Sequence, residues 1–431
     1  MRVLIIAENQ CKDNLVPYPL GAAYVAGAVR AAGHEVAGLD LMLSDDPEGD
    51  VERAVRDFDP EVVGLSIRNI DNQDIIAPVF LLDDCLPAME ALRATTDAPV
   101  VAGGAGFSMF PLECLDYLGL EVGIVGEGEV AFVELLDLLE RGLEIDSLPG
   151  VALNRDGVRK INPAVHAFDL DMLSPDRDAF DVTPYRGPGP VGHPMTANLQ
   201  TRRGCHMHCT YCSTPLIEGH NVRCRSVESA ADELESLDKE YGVRFCYFAD
   251  SLFNYPADYT IELLKELASR ELKIKWCSTF APFEVDERLF PLLTPAGCSL
   301  VSLGNESGSD PILSSLNKGF DRAAVVRAAK GFKAVGVPFN CFLMMGGPGE
   351  TRETVEESIA LMDELKPDAV LVTPGIRIYP GCDIEKTAIE RGMIEPGQDL
   401  LHPVFFIEPA LADWLPGYLQ QACEDRPGWS L

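Results

Sequence analysis

At 431 residues the chain exceeds one ordinary compact unit, and about 100–200 residues per domain points to two or three domains. Hydrophobic residues make up 47% and charged residues 24%, a globular balance with room for a large core. The formal net charge of −33 repels phosphate backbones and anionic lipid, so nucleic acid and membrane surfaces are excluded as expected partners. No apolar run reaches the roughly 18 residues of a membrane span. The run Val3–Ala7 follows Met1 too closely for a signal peptide and lacks a basic leader and a cleavage site, which predicts a cytoplasmic protein. Thirteen cysteines, mostly single, do not form a disulfide framework. Cys85, Cys114, Cys246, Cys277, Cys298 and Cys341 read as small buried hydrophobes, and Cys224, Cys382 and Cys423 as structural.

In chain order, strand Val3–Ala7 precedes an amphipathic helix over Leu20–Ala32 that stops at Gly33. Strands follow at Glu35–Asp40, Val62–Ile67, Val100–Ala102 and Val122–Val125, with helical segments between. Short buried strands alternating with helices predict a parallel sheet covered on both faces, so residues 1–140 read as a doubly wound α/β domain. Its glycine loops, Gly103-Gly104-Ala105-Gly106 and Gly126-Glu127-Gly128, fall at the carboxyl edge where such sheets bind ligands. Residues 141–195 are rich in Pro, Gly and Asp and read as a linker with a hairpin around Val151–Ile161. A second βα series has strands at Thr196–Thr201, Phe245–Ala249, Lys275–Thr279, Leu300–Leu303, Val337–Met344 and Ala369–Thr373. Six units are too few for a closed eight-stranded barrel, so residues 196–390 read as a partial (β/α)6 barrel. Residues 391–431 form a tail without a clear pattern, in which only the last few residues look disordered.

After the first strand of the second series stands Thr201-Arg202-Arg203-Gly204-Cys205-His206-Met207-His208-Cys209-Thr210-Tyr211-Cys212. Three thiolates at spacing C-x3-C-x2-C reach three corners of a four-iron four-sulfur (4Fe-4S) cluster and leave one iron open, which suits catalysis. A structural zinc site would want a fourth ligand, with His206, His208 and Cys224 as candidates.

This loop resembles that of the radical SAM superfamily, and the resemblance covers residues about 196–390. It implies that the open iron chelates S-adenosylmethionine (SAM), whose one-electron cleavage yields a 5′-deoxyadenosyl radical. It places Tyr211 against adenine and Asp250 near the SAM amino group. Glu306 and Ser307, in Leu303–Gly308, fall in the ribose-contacting segment, with Glu306 accepting from the hydroxyls. Met345-Gly346-Gly347-Pro348-Gly349-Glu350 matches the loop against adenine, where glycines permit close approach, and Ile378–Gly381 closes the cavity.

A doubly wound domain ahead of such a barrel resembles the cobalamin-dependent class. The matching positions are Asn9 after the first strand, Tyr18-Pro19-Leu20-Gly21, Ser66, Arg68 and Asn69 after the third, and Gly103, Gly104, Gly106, Gly126, Glu127 and Gly128. A dinucleotide fold is the rival, but no G-x-G-x-x-G follows the first strand, where Glu8-Asn9-Gln10 stands. None of the seven histidines lies in a D-x-H-x-x-G motif, so cobalt has no expected histidine ligand. Arg68 is instead the candidate to face the corrin from below, with an ion pair to Asp71 or Asp74 as the plain alternative.

The resemblance implies C-methylation of an unactivated carbon, or of phosphinate phosphorus, in a small molecule or lipid between the corrin domain and the barrel mouth. The alternatives are a radical rearrangement, cyclisation or coupling without methyl transfer, and a non-catalytic cobalamin- or cluster-bearing sensor. An electron donor such as flavodoxin or ferredoxin is the expected protein partner. The apolar stretch Leu401–Phe406 reads as barrel-end packing before it reads as a substrate contact, and His402 as a core histidine.

Overall fold

The computed structural model describes residues 1–12, 16–166, 169–172, 174–187, 195–283 and 285–431. Part of the expected linker, residues 188–194, therefore lies outside the described residues. The chain divides into two compact units. One comprises Met1–Asn72, Val79–Thr196 and Leu216–Glu218; the other comprises Gln73–Pro78, Ala197–Pro215 and Gly219–Leu431.

The first unit holds a seven-stranded sheet in the order Glu35–Asp40, Arg2–Ala7, Val62–Ser66, Val100–Gly103, Val122–Ile124, Val151–Arg155, Val158–Ile161. The first five strands are parallel, and the final hairpin is antiparallel. Arg2–Ala7 lies centrally, paired on both sides, and its apolar residues are buried on both faces. Helix Pro47–Phe58 shows why the elements start and stop where they do. Asp46 accepts from Gly49 N at 3.2 Å, Pro47 occupies the first turn, and Asp59 ends the helix in left-handed backbone at φ 49°.

Residues 141–195, expected as a linker, belong to this unit. The hairpin extends its sheet, and the following stretch packs on helix Leu20–Ala31 through specific polar contacts. Asp176 N donates to Ala23 O at 2.8 Å, and Arg30 pairs with the buried Asp176 carboxylate. The Tyr18 hydroxyl donates to Phe180 O at 2.8 Å, and that of Tyr185 to Asp40 Oδ2 at 2.5 Å. A Cβ on Gly27 would lie 1.8 Å from Ser174 O, so glycine is what lets this stretch lie on the helix.

The second unit carries six parallel strands in chain order: Met195–Leu199, Phe245–Phe248, Lys275–Phe280, Cys298–Glu306, Phe339–Met345 and Ala369–Pro374. Helices on the connections include Val227–Lys239, Ala257–Ser269, Arg322–Ala334 and Arg352–Leu365, making a partial barrel. Its wall is aromatic: Trp276 lies 5.0 Å from Phe248 and 5.1 Å from Phe253, ring centre to ring centre. The Trp276 indole N–H donates to Ala296 O at 2.7 Å, so this large ring is buried without an orphaned donor.

The tail is ordered into helix Leu415–Glu424 and two short strands. Phe405–Phe406 pairs antiparallel with Ile376–Arg377, and Trp429–Ser430, expected to be disordered, pairs with Ala369–Pro374. Arg377 donates to Leu400 O and Leu401 O, at 2.8 Å and 3.2 Å, so Leu401–Phe406 is barrel-end packing. His402 is exposed and is not a core histidine. Among the described residues no helix is long and apolar enough to cross a membrane.

Candidate functional site

The cysteine loop is closed at its base by the pairing of Arg202–Arg203 with Arg223–Cys224. Gly204 has φ 89°, and a Cβ there would lie 2.3 Å from Asn221 O, so only glycine permits the close crossing. Cys205 N donates to Gly219 O at 3.1 Å, and Cys212 N to Cys209 O at 3.2 Å, folding the three cysteines onto one turn. All three are free; Cys205 is buried, while Cys209 and Cys212 are half-buried. Burial pushes the Cys205 thiol up to about 11 and also raises Cys209. A bound metal reverses that order, because coordination deprotonates a thiol outright. Among the described residues, no three or more His, Cys, Asp or Glu sit close enough to share one metal ion. A cubane uses its thiolates at separate iron corners, so the donor set and spacing fit the cluster.

Asp250, expected near the SAM amino group, is a strut beneath this loop. It is 1% exposed, and its oxygens accept from Thr201 N at 2.7 Å, Thr201 Oγ1 at 2.5 Å and Arg202 N at 3.2 Å. Arg202 Nε lies 3.1 Å from Asp250 Oδ2, and its Nη1 donates to Phe253 O at 2.5 Å and to Tyr255 O at 2.8 Å. A carboxylate so occupied has no lone pair directed at a ligand.

Three groups meet beside the loop. Lys318 Nζ lies 3.0 Å from the Tyr211 hydroxyl and 3.4 Å from Glu306 Oε1, so Tyr211 and Glu306 share one corner. Burial, with Glu306 next, pushes the Tyr211 phenol well above its ordinary value. Glu306 stands at φ 63°, a left-handed conformation unusual for glutamate and common at functional strand ends. Sequence reasoning missed Lys318, because a lysine in Asn317-Lys318-Gly319 reads as a solvated turn.

Ser307 is 1% exposed, and its hydroxyl lies 3.0 Å from Ser358 Oγ and accepts from Ser309 N at 3.1 Å. Both contacts tie it to the fold. Met345 is fully buried, and the glycines after it approach protein neighbours closely. A Cβ on Gly346 would lie 3.0 Å from Ile407 Cγ1, and one on Gly347 3.2 Å from Ile376 Cδ1.

The amides of Gly346 and Gly347 both donate to Glu350 Oε2, while Oε1 has no partner. Burial pushes Glu350 up to about 7 from 4.5, with Glu408 adding and the two amides opposing. Between those values the folded chain holds a proton that the unfolded chain has released, so stability falls as pH rises from about 4.5 to about 7. Glu8, raised to about 7 by burial, acts in the same sense. Glu350→Gln is expected to flatten part of that fall; chemical denaturation at the two ends of the window reads it, and an unchanged slope would contradict it.

In the first unit the carboxyl edge sorts the expected corrin contacts. Arg68 is exposed, and Asn9, Ser66, Asn69 and Gly103 are half-buried at strand ends. The nearest atom to a Cβ on Gly103 is Ile124 O at 3.7 Å, leaving room on its outer side. Gly104 and Gly106 serve the fold: Cβ atoms there would lie 2.4 Å from Ile67 O and 2.9 Å from Arg68 O. They let the two loops cross and so hold Arg68 and Asn69 at the edge.

Tyr18 is 1% exposed with its hydroxyl donating to Phe180 O, and Leu20 is buried. Pro19 caps helix Leu20–Ala31, and Gly21 is exposed with no atom within 4 Å of a Cβ, so no close approach requires that glycine. Gly126 turns at φ 81° and donates to Ser108 Oγ at 2.9 Å. The Glu127 carboxylate lies 3.6 Å from His166 Nδ1, and a Cβ on Gly128 would lie 3.2 Å from Val25 Cγ2. Asn9, Ser66, Arg68, Asn69 and Gly103 lie along this edge, a polar rim that would fit a corrin face, while a Cβ on Gly126 would lie 3.4 Å from the His166 imidazole.

Residues 199–362 match the Radical SAM superfamily, and residues 14–136 match the B12 binding domain. Together the two domains make the chain a cobalamin-dependent radical SAM enzyme. It is 29% identical over 383 residues to an uncharacterized methyltransferase of Pyrococcus horikoshii, covering 87% of this chain and 79% of that protein. It is 26% identical over 446 residues to the cytidylyl-2-hydroxyethylphosphonate methyltransferase of Streptomyces wedmorensis, covering 89% and 80%. A solved structure of the radical SAM methyltransferase TsrM from Kitasatospora setae, with cobalamin and a 4Fe-4S cluster bound, matches with TM-score 0.77 and 25% identity. That match covers 90% of this chain and 75% of TsrM.

Proposed function

We propose that the chain methylates an unactivated carbon, or a phosphinate phosphorus, of a small molecule or lipid, using a 4Fe-4S cluster, SAM and cobalamin. The observation that carries this is the loop of three free cysteines, fixed at a strand end beside Tyr211, Glu306 and Lys318, downstream of a B12 binding domain. Cys205, Cys209 and Cys212 hold the cluster and leave one iron for SAM. Tyr211 packs on adenine, and Glu306 accepts from the ribose hydroxyls. Ser66, Arg68, Asn69 and Gly103 line the corrin. When bound, these groups supply hydrogen-atom abstraction and a methyl group; the protein's own part is to orient them and exclude water. A flavodoxin or ferredoxin delivers the electron in the reducing cytoplasm, a setting that suits thirteen free cysteines.

Anaerobic reconstitution with iron, sulfide and cobalamin, followed by SAM and a reductant, is expected to yield 5′-deoxyadenosine and S-adenosylhomocysteine. With methyl-labelled SAM the label enters the product. Product formed without label would replace methyl transfer by a rearrangement or coupling.

Arg68 would present to a bound corrin a guanidinium that cannot ligate cobalt and whose charge would favour loss of a methyl cation. Arg68→Ala is expected to retain cobalamin, read from its visible absorption, and to slow methyl transfer. Unchanged binding together with an unchanged rate removes Arg68 from the mechanism.

A further inference from the structure

Lys318 is 4% exposed, and charged side chains are rarely buried this far without full compensation. It ends a short segment of which three consecutive residues each grip the cysteine loop. Thr210 N donates to Leu316 O at 3.1 Å, Asn317 Nδ2 donates to His208 O at 2.8 Å, and Lys318 Nζ donates to the Tyr211 hydroxyl at 3.0 Å. The segment turns at Asn317, φ 54°, which aims the lysine inward.

The partners of the ammonium fall short of its charge. Among the described residues they are a neutral phenol, one carboxylate oxygen at 3.4 Å, and the faces of Tyr211 and Phe320, each 5.5 Å from Nζ to ring centre. An ammonium offers three donors, and 3.4 Å is long for a charge-assisted bond. We propose that Lys318 is the resident counter-ion of the iron–sulfur site: its charge compensates the three thiolates and makes the bound cluster easier to reduce. This rests on the assignment of the cluster to Cys205, Cys209 and Cys212.

The electrostatics have the required sign. Lys318 Nζ is held on the loop by the hydroxyl of Tyr211, the residue next to Cys212, so its positive charge is fixed beside the thiol ligands. Reduction adds one electron from an external donor to the site; no bond forms or breaks, and Lys318 keeps its proton. A fixed positive charge in a low-dielectric pocket stabilises the more negative, reduced form. Glu306, beside it, works in the opposite sense.

The test uses full-length protein reconstituted anaerobically with iron and sulfide, without SAM, as wild type, Lys318→Met, Lys318→Arg and Glu306→Gln. Iron and sulfide content is measured first, and the midpoint potential then by dithionite titration followed by electron paramagnetic resonance. Lys318→Met is expected to shift the midpoint negative, Lys318→Arg to stay near wild type, and Glu306→Gln to shift it positive. A role limited to holding the loop would not move the two charge changes in opposite directions. An unchanged midpoint in both Lys318→Met and Glu306→Gln overturns the proposal. If Lys318→Met loses its cluster, Glu306→Gln decides, and a midpoint that does not rise overturns it. A wild-type protein that takes up no cluster would instead overturn the cysteine assignment.

Discussion

Alanine at Cys205, Cys209 or Cys212, one at a time, is expected to abolish cluster binding and to take SAM cleavage below detection. The loop offers three thiols and one open iron, so each substitution leaves only two protein ligands for four irons. The fold itself should survive: the loop is closed by backbone pairing of Arg202–Arg203 with Arg223–Cys224, and by Cys205 N to Gly219 O, neither of which needs a thiol. Cys224 and Cys382 are the informative controls. Cys224 sits on the strand that closes the loop, and it is the cysteine a four-ligand zinc site would recruit. Cys382 is 4% exposed, and burial, with Cys212 the next contributor, pushes its thiol up to about 12. Cys224→Ala and Cys382→Ala are therefore expected to keep iron and sulfide at wild-type content. Loss of metal in Cys224→Ala, with zinc and no sulfide in the wild type, would return the loop to a structural zinc site.

The parts of this fold written in long apolar runs were legible from the residues. Glu35–Asp40 was expected with the bounds it has, and the barrel strands fell within a few residues of theirs, because β-rich runs end at Gly, Pro and Asp. The cysteine loop was legible because its spacing is itself the chemistry. The hairpin around Val151–Ile161 was legible too, but the other described residues of 141–195 were not, since they join the first unit through contacts such as Tyr185 with Asp40 that leave no local period. Polar residues at strand ends were placed at the right edge without their facing partners being visible. Asp250 and Ser307 turned inward to Thr201 and Ser358, while Glu306 turned toward Tyr211 and Lys318. Whether a strand-end carboxylate serves ligand or fold is decided by which donors lie opposite it, and those donors are far away in sequence.

The same distinction gives the second large effect. Asp250→Ala is expected to cost roughly 3–5 kcal/mol of stability, because it leaves the Arg202 charge buried and unpaired. Arg202 is 1% exposed, its Nη2 already has no partner, and the backbone amides of Thr201 and Arg202 would lose their acceptor as well. Against a typical total of about 5–15 kcal/mol, that is enough to empty much of the folded population at elevated temperature. Replacing both partners, as Asp250→Leu with Arg202→Met, should cost less than the sum of the single changes, since neither charge is then stranded. Full recovery is not expected, because Phe253 O and Tyr255 O lose the guanidinium that donates to them. Denaturant midpoints at constant slope measure all three variants. Asp250 carries Thr201 and Arg202, the residues that lead into Cys205, so iron content should fall in step with stability. An Asp250→Asn protein that stays as stable as wild type but binds SAM more weakly would reverse this reading and make Asp250 a SAM contact.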